Sequence, residues 1–107
     1  YMMDTLVMGG NGGIPATTNF APEITCGIYR AFKRKEYQTM FELQCQLSKL
    51  STVYSLETPF FGVIKQAIRL TGLDISTQVL APVKPLSSEK KQRLMKVLKY
   101  AGVAYQE

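Results

Sequence analysis

The run Gly9-Gly10-Asn11-Gly12-Gly13-Ile14-Pro15-Ala16-Thr17-Thr18-Asn19-Phe20-Ala21-Pro22 constrains this chain more than any other stretch. Gly9-Gly10 suits the end of a helix, because glycine enters the left-handed conformation without a Cβ clash. Asn11-Gly12-Gly13 predicts a tight turn. Ile14–Asn19 predicts a short strand, favoured by the β-branched Thr17 and Thr18. Pro15 has no N–H for a ladder and argues against a central position. Strand alternation would turn Ile14, Ala16 and Thr18 to one side, and Pro15 and Thr17 to the other. Everything after Pro22 reads as helix or linker. The strand therefore has no partner in the chain, and its N–H and C=O groups would be costly to bury alone. One short strand between two helices is what the end of a βαβα series presents. It predicts that this chain is part of a larger fold.

Around that stretch the apolar spacing is helical. Tyr1–Met8 reads as the last turns of a helix, with Met3, Leu6 and Val7 on one face. Pro22 opens the next helix, where a missing N–H leaves no bond unmade, and Glu23 suits the positive helix end. Ile24, Ile28, Ala31 and Phe32 form its expected buried stripe. Glu36–Leu56 predicts one long helix, free of Gly and Pro from Tyr37 to Thr58, with Met40, Leu43, Leu47, Leu50 and Tyr54 as the stripe. Phe41 and Cys45 fall off it. Thr58-Pro59 breaks the chain. A helix then runs from about Phe60 to Leu70, with Phe60, Val63, Ile64, Ala67 and Ile68 inward and Gly72 as its C-cap. Gly62 inside it costs about 1 kcal/mol relative to alanine, which predicts a close helix contact there. Leu73–Leu86 is a linker, since Pro82 and Pro85 exclude regular helix. Ser87 or Ser88 caps the last helix. Leu94, Val97, Leu98 and Ala101 face inward, and Gly102 ends it.

Composition narrows the classes. At 107 residues, 46% of them hydrophobic, the chain has the makeup of a small globular unit and not of a disordered one. No apolar run is long enough to span a bilayer. Tyr1-Met2-Met3-Asp4 lacks the charged and apolar regions of a signal peptide and reads as the middle of a helix. The net charge is +5 and the pI near 9.3. The basic residues cluster at Arg30–Lys35 and Lys90–Lys99. A small basic helical protein that binds nucleic acid is one reading of this charge. Against it, the clusters fall at helix C-termini, where cations suit the dipole, and on a wet face. No helix pair shows a DNA-reading turn, so neither a nucleic-acid nor a membrane partner is expected. Gly9–Gly13 lacks the Lys-Ser/Thr of a P-loop and the GxGxxG spacing. Cys26 and Cys45 form no CxxC pair and there is no histidine, so no metal site is expected. Two packed thiols in a reduced, cytoplasmic protein are the expectation.

The ordered set of these segments resembles one family. Gly9–Pro22 resembles the eighth barrel strand and following turn of the dihydrodipicolinate synthase / N-acetylneuraminate lyase family. The helix around Glu42-Leu43-Gln44 is similar to its ninth helix. Thr58-Pro59-Phe60-Phe61-Gly62-Val63-Ile64-Lys65 is similar to its proline-led run ending in Val-Lys. Ala81-Pro82-Val83-Lys84-Pro85-Leu86-Ser87 and Leu98-Lys99-Tyr100-Ala101-Gly102-Val103 resemble its lead into the last helix and its closing segment. The resemblance covers essentially the whole chain. Pro15 and Leu80 depart from it, standing where the family commonly has a small or polar residue and an arginine.

The resemblance implies an α/β fold: the C-terminal part of a (β/α)8 barrel plus a three-helix C-terminal domain. Residues 1–35 would hold the end of barrel helix 7, strand 8 and helix 8, and residues 36–107 the helical domain. It implies class I aldolase chemistry, in which a lysine forms a Schiff base with pyruvate or another 2-oxo acid and a tyrosine shuttles protons. No cofactor is implied. The partners would be that 2-oxo acid, an aldehyde, the remainder of the barrel and further copies of the chain, as a homotetramer. The implied lysine and tyrosine precede Tyr1, so no catalytic residue is assigned here. Lys33, Lys65 and Lys84 sit at a helix end, in a helix and in a linker, none of them a dry strand end. Ile14 and Ala16 are the expected pocket-lining residues, because inward side chains at strand ends line barrel sites. Ala16 stands where sialic acid lyases carry a serine. A synthase of the lysine-biosynthesis type, using aspartate semialdehyde, is the first expectation. The alternatives are a sugar-acid aldolase and N-acetylneuraminate lyase. On this reading the segment closes the barrel and supports oligomerisation, with Phe41, Phe61 and Tyr100 as extra contacts.

Overall fold

A computed structural model describes every residue from Tyr1 to Glu107. Its regular structure is helical: α1 (Met2–Val7), a 3-10 turn at Ala16–Asn19, α2 (Pro22–Lys33), α3 (Tyr37–Lys49), a second 3-10 turn at Leu50–Ser55, α4 (Phe61–Leu70) and α5 (Ser88–Tyr100). No helix is long and apolar enough to cross a membrane. The chain packs as two compact units, Tyr1–Ser48 and Lys49–Glu107.

In the first unit, α1 ends where the glycines demand. Gly9 takes φ +94°, and the Gly10 N–H donates to the Thr5 carbonyl at 2.8 Å. A Cβ on Gly10 would meet that carbonyl oxygen at 2.7 Å, so only glycine fits. Of the expected α1 face, only Leu6 is buried, and Val7 is exposed. The N–H of Met3 donates to the Gln44 side chain of α3 at 2.9 Å. Helix α2 begins at Pro22 as its chemistry predicts, and it buries Ile24, Thr25, Ile28 and Ala31. It ends at Lys33, and two residues on Lys35 takes a left-handed φ of 59° that lets the Glu36 N–H reach the Ala31 carbonyl at 2.9 Å. The close helix contact involves Gly27 of α2. A Cβ there would lie 2.8 Å from Leu43 Cδ1 of α3.

The predicted strand at Ile14–Asn19 does not form. The chain supplies no second strand, so no ladder can satisfy its backbone. Local bonds win instead. The Thr18 N–H donates to the Pro15 carbonyl at 3.0 Å, and Asn19 Nδ2 donates to the Ala16 carbonyl at 3.0 Å. These wind Ala16–Asn19 into a 3-10 turn. Pro15, extended at φ −76° and ψ 134°, leads into it.

The long helix expected to reach Leu56 is α-helical only to Lys49 and tightens into 3-10 from Leu50, just inside the second unit. Ser51, Thr52 and Val53 favour this change, because hydroxyl and β-branched side chains compete with or crowd the α-helix. The Ser55 hydroxyl donates to the Thr52 carbonyl at 2.9 Å. Residues three apart eclipse in a 3-10 turn, and Leu50 and Val53 are accordingly both fully buried. Val53 thus takes the inward place expected of Tyr54, whose ring packs edge-to-face on Phe60 at 5.1 Å. Helix α4 buries Val63, Ile64, Ala67 and Leu70. Gly62 meets the proline-rich linker and not a helix: an added Cβ would lie 3.7 Å from the Lys84 carbonyl. Ser87 caps α5, accepting from the Lys90 N–H at 3.3 Å. Leu94 and Leu98 are fully buried, each contributing about 2 kcal/mol by removal of apolar surface from water. Gly102, at φ +73°, ends the helix.

Candidate functional site

The turn around Ile14–Phe20 is the part of the chain singled out for function. It is built from the inside outward. Phe20 and Ala21 are buried, at 3% and 0% exposure, and anchor the exit into α2. The Thr17 carbonyl accepts from the N–H groups of Phe20 (3.2 Å) and Ala21 (2.8 Å). Thr17 itself is buried, and its hydroxyl has no hydrogen-bond partner. Thr18 and Thr25 meet hydroxyl to hydroxyl at 2.9 Å, tying the turn to α2. The Thr25 hydroxyl also faces the Pro22 carbonyl at 3.4 Å.

On this frame Ile14 is fully exposed and Ala16 is half-buried. The two do not alternate along one strand, because Ala16 already belongs to the 3-10 turn. Beside the turn lies a cleft of about 350 Å³, walled by Met2, Gly13, Pro15, Thr18, Thr25, Cys26, Tyr29 and Arg30 among others. Apolar spacing gives no sign of Thr25, since it marks only the apolar stripe of α2. A threonine on the first turn of a proline-led helix, seven residues after another threonine, is the only local trace of the pair. Both cysteines were expected to be packed, yet both are exposed and free. Each falls off the buried stripe of its helix, so the thiol points away from the core.

The lysines set aside on sequence grounds have ordinary surroundings. Lys65 Nζ donates to the Gln78 carbonyl at 2.6 Å. Lys33 Nζ lies 5.6 Å from the Tyr29 ring centre. Lys84 is exposed in the linker. In the second unit, Lys90 of α5 pairs with Glu57. The Lys90 hydrogen bond, helped by the Thr58 N–H, holds the Glu57 carboxyl below its ordinary value, against the opposing effect of burial.

This arrangement of turn and helices has a close counterpart among solved structures. It superposes with a TM-score of 0.94 and 34% identity on the crystal structure of YagE from Escherichia coli K12, a prophage protein of the dihydrodipicolinic acid synthase family in complex with pyruvate. The match covers 96% of this chain and 35% of that one. Residues 1–101 match the model of the dihydrodipicolinate synthetase family, and the chain belongs to that family. It is 37% identical over 103 residues to the probable 2-dehydro-3-deoxy-D-pentonate aldolase YjhH of E. coli K12, covering 96% of this chain and 34% of that protein. To the putative 2-dehydro-3-deoxy-D-gluconate aldolase YagE it is 36% identical, over 92% of this chain and 32% of that protein. An uncharacterised DapA-like lyase of Thermococcus kodakarensis is 36% identical over 92% of this chain and 34% of its own length. The chain thus spans about a third of the length of the relatives it matches.

Proposed function

We propose that this chain is the barrel-closing and C-terminal part of a Schiff-base aldolase that cleaves 2-dehydro-3-deoxy sugar acids to pyruvate and an aldehyde. The observation that carries this reading is its similarity, along nearly all of its length, to two proteins named as aldolases of such acids. One of these has been solved with pyruvate bound. That similarity favours the sugar-acid reading over the aspartate semialdehyde synthase first expected. Ala16 weighs against N-acetylneuraminate lyase, since a methyl group cannot hydrogen-bond a sugar.

On this reading residues 1–35 complete the barrel and residues 36–107 form the helical domain. Ile14, exposed in the chain alone, is an apolar wall of the pocket, and Ala16 borders the aldehyde end. The lysine that attacks the 2-oxo group lies outside Tyr1–Glu107. It must be neutral to attack, which calls for a dry site with a depressed pKa. The exposed aromatics Phe41, Phe61 and Tyr100 are candidate contacts between copies in a homo-oligomer, by the symmetry such assemblies follow. The absence of a crossing helix and the two free cysteines suit a reducing cytoplasm.

The test is turnover by the full-length parent protein. Pyruvate release is measured from 2-dehydro-3-deoxy-D-pentonate and 2-dehydro-3-deoxy-D-gluconate, and condensation of pyruvate with aspartate semialdehyde is assayed alongside. We expect kcat/KM for at least one sugar acid to exceed that for the semialdehyde by at least about a hundredfold, a difference of about 2.7 kcal/mol in transition-state binding. Preference for the semialdehyde would overturn the sugar-acid reading.

A further inference from the structure

We infer that Thr25 is a positioning residue for the aldehyde end of the pocket, acting through Thr18. The inference rests on the function proposed above and deepens it. Thr25 is on α2 and 3% exposed. Its oxygen lies 2.9 Å from that of Thr18, which is on the 3-10 turn opened by Ala16. The Thr25 hydroxyl faces the Pro22 carbonyl at 3.4 Å, so its proton has a destination there. Either hydroxyl can donate within the pair, and the two link the turn to the start of α2.

This link has a specific mechanical role. The turn's other bonds are local: Thr18 to Pro15, Asn19 to Ala16, and Phe20 and Ala21 to Thr17. They hold the shape of the turn, and the Thr17 carbonyl reaches only as far as Ala21, the residue before α2. The Thr18–Thr25 bond joins the turn to α2 through side chains. It adds a tie from the turn to the body of α2, and through it Thr25 steadies the position of Ala16, two residues before Thr18. The neighbouring hydroxyl, that of Thr17, is equally buried but has no partner. A threonine at this turn does not need its hydroxyl simply to pack, and the paired hydroxyl of Thr25 is the one placed to orient it.

The experiment uses the full-length parent with pyruvate at saturation and D-glyceraldehyde or glycolaldehyde as the varied substrate. Thr25→Val and Thr18→Val keep shape and remove one hydroxyl each, and Thr25→Ser keeps the hydroxyl. A turn released from α2 is expected to raise aldehyde KM about fivefold, equivalent to about 1 kcal/mol of binding. We expect that rise in both valine variants, with kcat changed less than KM. The double variant should be no worse than either single one, as for two ends of one bond. Thr25→Ser should restore KM to within about twofold of the wild type. Trapping of the pyruvate adduct by borohydride should still go to completion in every variant. Wild-type KM in Thr25→Val, additive effects in the double variant, or a serine variant as impaired as the valine one would each overturn the positioning role while leaving the proposed function standing. Absence of a pyruvate adduct in the wild-type parent would overturn both.

Discussion

The hydroxyl of Thr17 is the least comfortable atom in the first unit. It is buried and unpaired, and a polar group in that position loses its water without replacement, at about 1–3 kcal/mol. Valine has nearly the same shape. Thr17→Val is therefore expected to raise stability by about 1 kcal/mol, measured as a higher urea midpoint with an unchanged slope. A lower midpoint would mean that the hydroxyl is paired. Residue-scale features divided sharply in how legible they were. Gly9, Gly72 and Gly102 all take positive φ where the sequence placed helix ends, because the left-handed conformation is a property of the residue itself. Thr25 was not legible, since a hydroxyl's partner is chosen by the neighbouring element.

Among the elements, the second unit is tied by an ion pair between the segment before Pro59 and the start of α5. Lys90 donates to Glu57, whose pKa lies below its ordinary value of 4.5. A carboxylate with a lowered folded-state pKa stabilises the fold above its unfolded pKa, and that stabilisation disappears as pH falls through the folded value. Glu57→Gln is therefore expected to lower the stability of the protein at neutral pH and to leave it nearly unchanged once the pH has fallen below the lowered folded-state pKa of Glu57. Acid titrations of both forms followed by circular dichroism check this, and a constant difference across pH would refute it. Helix starts were legible because Pro22 and Ser87 act within their own turn. The 3-10 segment Leu50–Ser55 was not, because α and 3-10 share apolar spacing closely enough that burial of Leu50 and Val53 decides between them.

For the whole molecule, the proposed division of labour makes a direct prediction. The isolated chain 1–107, incubated with pyruvate and borohydride, is expected to gain no mass, whereas the parent gains one adduct per chain on a lysine outside this segment. A stoichiometric adduct on the isolated chain would relocate the nucleophile into it. The sequence alone determined the helix starts at Pro22 and Ser87, the glycine ends and the oddity of Ile14–Asn19, all of which depend on groups a few residues apart. The resemblance of the ordered segments was enough to reach the family. Only the tertiary structure decided that Ile14–Asn19 forms no strand, that the close glycine contact is at Gly27 and not Gly62, and that Thr18 and Thr25 meet. A strand exists only when another strand satisfies its backbone, and a side-chain pair only when two elements converge. Neither condition is written in the residues that carry it.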